Sequence, residues 1–330
     1  MRAIVNTGPG TLDWLEWPDP TCGPGQVRIR VHACGICATD LEMIRGWERT
    51  GYPSIPGHEW SGVIDQVGNG VDPQLVGRPC VAENVLADGG EVGFEHPGGY
   101  AEYLVTEAAN TQVLPETFDA GSAALIEPLA VCVRAMRRAR CMPLRPDGPA
   151  ELPPRCLVLG DGPIGLLTVM LLRRCGTPDI TMVGGRPARL NLAREFGAAD
   201  TLNYHELHGE LKEALGRDWP MVVEASGSAS SIEAALLVTR LGGRVLMVGD
   251  YGDARAAFRW NRFIHGELEL IGSNASAGAW PEAVRLAVDE GLPLGRLISA
   301  RVAAARFADA IGMAEADRAC VKVILDWTAA

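Results

Sequence analysis

Three observations predict an α/β chain of two parts: strands alternating with helices after residue 125, a Gly160-Asp161-Gly162-Pro163-Ile164-Gly165 turn within that stretch, and a strand-and-turn texture before it. One part reads as a β-rich domain. The other reads as a doubly wound parallel sheet covered by helices on both faces. In the first part Val27-Arg28-Ile29-Arg30-Val31 alternates apolar and charged residues, as a strand with one buried face does, and Gly62–Val67 and Tyr100–Val105 look similar. Turn signals separate them at Pro9-Gly10, Gly23-Pro24-Gly25, Asn69-Gly70 and Gly98-Gly99. A helix over Glu127–Arg140 leads into a proline-rich connection at 142–154. Strands are expected near 156–160, 179–183, 219–225, 244–249 and 267–272, with helical spacing of apolar residues between them. A further helix (Trp280–Glu290) and the strand-like Cys320–Leu325 close the chain.

Composition narrows the class. A length of 330 residues suits about two domains. Arg and Lys number 30 against 41 Asp and Glu, a formal net charge of −11, and so acidic a surface makes nucleic acid an unsuitable partner. No uncharged apolar run is long enough to span a membrane. The first residues show no leader-like apolar segment, and the nine cysteines, an odd number without framework spacing, suit reduced thiols. A cytoplasmic location is therefore expected.

The turn at 160–165 follows the buried strand Cys156–Gly160 and opens a helix. The first glycine permits the tight turn, the second lets backbone approach a pyrophosphate, and the third allows close helix–strand packing. The helix N-terminus adds N–H donors and a positive dipole end. About twenty residues on, the next strand ends at Val183-Gly184-Gly185-Arg186, with Arg189 just beyond. No acidic residue stands at that strand end to accept a ribose 2′-hydroxyl, whereas two arginines are available for a 2′-phosphate. NADP(H) is therefore expected over NAD(H).

Candidate metal ligands fall in three segments: Cys34-Gly-Ile-Cys37-Ala-Thr39-Asp40, Gly57-His58-Glu59, and Leu125-Ile-Glu127-Pro128. Thiolate, imidazole and carboxylate form a sound zinc set, and a catalytic zinc keeps three protein ligands and one open position. Each segment alone also has an ordinary structural reading, as a packed cysteine, a polar turn and a helix start.

Taken in order with the glycine-rich turn, Glu224-Ala-Ser-Gly227, Gly242–Gly249 and the closing Lys322-Val-Ile-Leu, these segments resemble the zinc-dependent medium-chain alcohol dehydrogenases over essentially the whole chain. The resemblance implies a GroES-like catalytic domain from residues 1–126, a Rossmann domain from 127–272, and a return to the catalytic domain over 273–330. It implies one catalytic zinc held by Cys37, His58 and a glutamate, either Glu59 or Glu127. Thr39 would pass on the substrate's proton and Asp40 would support the metal site. Gly160, Gly162, Pro163, Ile164, Gly165, Gly184, Arg186, Arg189, Val248, Gly249 and Ser273 are the residues it places at the cofactor.

Glutamate rather than cysteine at 127 resembles the sorbitol, polyol and glucose dehydrogenase branch. Glu42 takes the place of a relay histidine and points the same way. The stretch Ala82–Gly99 holds no cysteine, so the structural-zinc lobe of the family, and with it a second zinc, is not expected. The resulting expectation is a hydride transfer between NADP(H) and a secondary alcohol or ketone of a polyol, cyclitol or sugar, in a homodimer or homotetramer joined near Phe258–Ser273. The alternatives are a zinc-free reductase of the quinone-reductase type, which lacks the Cys37/His58/Glu127 set, and a dinucleotide-binding protein without chemistry.

Overall fold

The computed structural model describes residues 1–330 apart from 48, 50, 144–147, 149, 208–210, 217, 318 and 330, so part of the proline-rich connection at 142–154 lies outside the described residues. The chain forms two compact units, Met1–Ala130 with Ala277–Ala330, and Val131–Ser276. In chain order the first unit contributes β1 (Arg2–Gly8), β2 (Thr11–Glu16), β3 (Gln26–Gly35), α1 (Ala38–Arg45), β4 (Glu59–Val67), β5 (Pro79–Ala82), β6 (Tyr103–Glu107), β7 (Thr111–Val113) and α2 (Ala120–Ala124). Helix α3 (Ile126–Arg138) runs across the division at 130/131. The second unit holds β8 (Arg155–Leu159), α4 (Pro163–Cys175), β9 (Asp179–Gly184), α5 (Pro187–Glu195), β10 (Asp200–Asn203), α6 (Leu211–Leu215), β11 (Trp219–Glu224), α7 (Ala229–Val238), β12 (Thr239–Met247), α8 (Trp260–His265) and β13 (Glu269–Gly272). The chain ends with α9 (Trp280–Val288), β14 (Ile298–Ala303), α10 (Phe307–Ala316) and β15 (Lys322–Asp326).

In the first unit β1 and β2 form a hairpin, and seven strands form a sheet in the order β14-β15-β3-β4-β5-β7, with β6 also on β3. Strand β15 pairs antiparallel with β3, setting Leu325 beside Cys34, so the end of the chain belongs to the same sheet as the cysteine segment. The inward residues of β3, Val27, Ile29 and Val31, pack with Ile4, Trp60, Ile64 and Leu104 in one core. Their alternation with Arg28 and Arg30 is what makes β3 a one-sided strand.

The second unit is a six-stranded, wholly parallel sheet in the order β10-β9-β8-β11-β12-β13. Successive connections run outward in opposite directions from β8 and β11, and the carboxyl ends at that switch point are where such sheets bind ligands. Strand β8 and the apolar face of α4, Leu166–Leu172, are buried, which accounts for their continuous hydrophobic runs. Strand β10 escaped the sequence reading. It is a four-residue edge strand, Asp-Thr-Leu-Asn, with no buried residue to give it a pattern.

Candidate functional site

The first cluster grows from the start of α1. Cys37 is the N-cap residue, and the Asp40 side chain closes a capping box by accepting from the Cys37 backbone N–H at 2.8 Å. That bond uses Oδ2. The other oxygen, Oδ1, accepts from Gly57 N at 3.2 Å and lies 3.2 Å from His58 Nδ1, with Asp40 fully buried. One carboxylate thus fixes the helix start that carries Cys37 and the ring that precedes β4. Its contact with Nδ1 leaves His58 Nε2 as the nitrogen for a metal.

Ligand atoms of Cys37, His58 and Glu59 lie within 4.8 Å of one another. Glu59 Oε1 accepts from Lys322 Nζ at 2.7 Å, while Oε2 is buried without a partner. Lys322 also donates to the Ile36 carbonyl at 3.2 Å. Soft sulfur, imidazole nitrogen and an oxygen lacking a partner form a donor set suited to zinc. Glu127 lies outside that triplet but in the same unit, in the first turn of α3, where burial pushes its carboxyl up to about 7. Burial works against a charged His58, but Asp40 and Cys37 outweigh it and hold the imidazole well above its usual range. Thr39 places its hydroxyl 3.7 Å from Cys37 Sγ, whereas Glu42 sits half-buried one turn further along α1 and outside the triplet.

The cysteine-free loop after β5 supports His58 from two sides. Buried Asn84 donates to the His58 carbonyl at 2.8 Å and accepts from the Trp60 indole at 3.0 Å. The Phe94 ring stacks on the imidazole at 4.9 Å, and the Arg49 guanidinium lies over the same ring at 4.2 Å from its centroid. The loop returns along a seam of backbone. A Cβ on Gly93 would meet Gly57 C and His58 N at 2.7 Å, and one on Gly98 would meet Gly57 O at 2.4 Å. Sequence reasoning missed Asn84, Phe94 and the role of Lys322. A charged residue inside the apolar Cys320–Leu325 strand was the one available signal.

The second cluster lies in the parallel-sheet unit. Gly160 follows β8 at φ +115°, and a Cβ on Gly165 would come within 2.0 Å of Gly160 O, so both positions require glycine. Gly162 caps α4, Pro163 is its first residue, Ile164 the next, and open space surrounds Gly162. Val248 and Gly249 each donate an N–H to Glu224 O, and Ser273 N bonds to Met247 O, which gathers these residues at the carboxyl ends of β11, β12 and β13. Gly184 ends β9, and Arg186 and Arg189 flank the start of α5. The structure adds a partner that the sequence reading did not assign: Asp161, buried, binds Gly185 N at 3.0 Å, Arg186 N at 2.9 Å and the Arg186 guanidinium at 2.8 Å. Among the described residues no disulfide joins any of the nine cysteines, and no helix is long and apolar enough to cross a membrane.

Residues 23–116 match the alcohol dehydrogenase GroES-like domain, and residues 163–289 match the zinc-binding dehydrogenase family. The chain is 30% identical to a sorbitol dehydrogenase of Halalkalibacterium halodurans, over 87% of this chain and 88% of that one. It is 29% identical to an L-threonine 3-dehydrogenase of Saccharopolyspora erythraea over 99% of both. A solved short chain alcohol dehydrogenase from Escherichia coli, complexed with NADH, shares the fold with a TM-score of 0.89 at 26% identity and 99% coverage of each chain.

Proposed function

The chain belongs to the zinc-type medium-chain alcohol and polyol dehydrogenases, and on that premise we propose that it is a zinc-dependent oxidoreductase that moves a hydride between NADP(H) and a secondary alcohol or ketone of a polyol, cyclitol or sugar. The observation that carries this reading is the convergence of Cys37, His58 and Glu59 within 4.8 Å, beside the Thr39 hydroxyl. Cys37, His58 and a glutamate, either Glu59 or Glu127, would hold the metal and leave one position open, and Glu59 is the one whose carboxylate lies within 4.8 Å of the other two ligand atoms. When bound, zinc supplies Lewis acidity that lowers a hydroxyl's pKa, and the dinucleotide supplies the hydride acceptor.

The chain's own residues do the rest. Asp40 keeps the His58 ring turned and Cys37 seated at the helix start. Thr39 accepts the substrate hydroxyl's proton on Oγ1 and returns it in the reductive direction. Glu42, one turn on, takes the outer place in that relay. Gly160, Gly162 and Gly165 admit the pyrophosphate, while Val248, Gly249 and Ser273 border the cofactor at neighbouring strand ends. The glycines at 184 and 185, followed by Arg186 and Arg189, support NADP(H) over NAD(H).

A polyhydroxylated substrate is supported by Glu127 in place of cysteine, by Glu42, and by the similarity to a sorbitol dehydrogenase. A homodimer or homotetramer is supported by the edge position of β13, next to Trp260 and Ile264, which are 65% and 61% exposed. Thiols not paired in disulfides support a reducing, cytoplasmic setting. The deciding experiment is turnover of polyols, aldoses, cyclitols and simple alcohols with each cofactor, alongside metal analysis. About one zinc per chain and faster turnover of a polyhydroxylated compound are expected. Faster turnover of a simple alcohol than of every polyhydroxylated compound overturns the substrate class, and full activity without metal overturns the zinc.

A further inference from the structure

We propose that Asp161 is a specificity-determining residue: its carboxylate competes with the 2′-phosphate of NADP(H) for the Arg186 guanidinium and so limits how strongly the chain prefers the phosphorylated cofactor. This rests on the reading that the parallel-sheet unit binds a dinucleotide with its adenosine ribose near the end of β9. Dinucleotide sheets of this kind keep a ribose-binding acid at the end of the second strand, or an arginine there for the phosphate. Here that strand ends in glycine, yet the place is not empty. A Cβ on Gly184 would come within 2.5 Å of the Asp161 Cβ and 2.6 Å of its Oδ2. The carboxylate of the glycine-rich turn therefore fills the space that a strand-end side chain would use.

Its bonds divide by oxygen. Oδ2 accepts from the backbone N–H groups of Gly185 and Arg186, and Oδ1 accepts from Arg186 Nη1 at 2.8 Å. The Asp161 side chain is 4% exposed and the Arg186 side chain 39%, so the acid is enclosed while the guanidinium keeps an open face. Arg186 Nε is buried without an acceptor, so the internal carboxylate does not saturate the fork. A guanidinium can bind a phosphate through two parallel charge-assisted bonds. Asp161 already takes one donor, offsets the positive charge, and sets a second negative charge beside any incoming phosphate. The ribose 2′-hydroxyl of NAD(H) meets no such repulsion.

Asn in place of Asp161 separates competition from loop support. The amide oxygen can still accept from Gly185 N and Arg186 N, whereas the amide NH2 cannot accept from the guanidinium. In D161N the loop is kept and Arg186 is released. Dissociation constants for NADPH and NADH, measured by fluorescence titration on wild type, D161N, R186A and the double variant, test this without turnover. The ratio of the NADH to the NADPH constant is expected to rise about 10-fold in D161N, by the strength of one charge-assisted bond, and to rise clearly less when the same substitution is made in R186A, where only the charge repulsion is relieved. An unchanged or smaller ratio in a D161N protein of wild-type Tm overturns the proposal, as does an equal rise in the R186A background. Asp161→Ser, whose hydroxyl can also accept from the loop, gives the same readout if D161N does not fold. A wild type that binds NADH more tightly overturns the NADP(H) preference but not the competition, which the change in ratio decides. A protein that binds neither dinucleotide overturns both.

Discussion

Lys322 and Glu59 meet at 2.7 Å with their side chains 4% and 2% exposed, joining the last strand of the chain to the residue beside His58. Two charges so far from water are held by each other and by the Ile36 carbonyl. Burial alone would lower the Lys322 pKa, but Glu59 and the neighbouring acids raise it, so the ammonium stays charged. Lys322→Met strands the Glu59 carboxylate in a dry interior, and removing one partner of such a pair costs about 3–5 kcal/mol. Denaturant unfolding of the metal-free variant should show a loss of that size. A variant as stable as wild type would mean that water or another cation reaches Glu59.

Replacing Cys37 by Ser, or His58 by Ala, is expected to reduce zinc from about one per chain to near none and to abolish turnover with it. Elemental analysis and activity on the same sample make the check. Full activity in a folded, metal-free Cys37→Ser protein contradicts the mechanism.

Zinc uptake by metal-free protein should depend on pH. Asp40 and Cys37 overcome burial and hold His58 protonated above the usual histidine range, and a metal needs the neutral ring. Below the raised pKa the proton competes, so affinity should climb by about tenfold per pH unit for each ligand proton displaced. Chelator competition from neutral to alkaline pH measures the slope. A flat profile would show that no ligand proton is displaced.

Asn84→Ala removes the acceptor for the Trp60 indole and the donor to the His58 carbonyl, both in a buried setting. Leaving those groups unpaired should cost about 1–3 kcal/mol each, before any effect on the site. Thermal unfolding gives the stability, and zinc affinity reports whether His58 has shifted.

Arg186→Ala should raise the NADPH dissociation constant by about 10- to 100-fold and leave NADH nearly unchanged. Equal losses for both cofactors would place the side chain against the shared part of the molecule, or show a general loss of stability.

The parallel sheet was legible because β8, β9 and β11 are buried on both faces and so carry continuous apolar runs, and because the turn at 160–165 has steric demands that only glycine meets. Cys37, His58 and Glu59 were legible as candidates, but their approach was not, since it depends on the Asp40 carboxylate bridging two segments seventeen residues apart, Asp40 and Gly57. Asn84 and Phe94 act through a loop whose path has no periodicity to read. Asp161 stood inside the glycine motif at a position the motif leaves unspecified, so its pairing with Arg186, 25 residues away, left no local trace.

The seam where Gly93 and Gly98 lie against Gly57 limits how this loop can vary among descendants of the sequence. Its tip turns at Leu86–Gly90, where Gly89 N bonds to Leu86 O and a Cβ on Gly89 would meet nothing within 4 Å. Added length at Gly89 meets open space, whereas Leu86 is buried and a Cβ on Gly90 would come within 2.7 Å of His96. At the base any added methyl pushes on the peptide that carries His58. Insertions, tags or a grafted metal-binding lobe should therefore be accepted next to Gly89, while a library randomised over 93–99 should return glycine at 93 and 98 whenever function is selected.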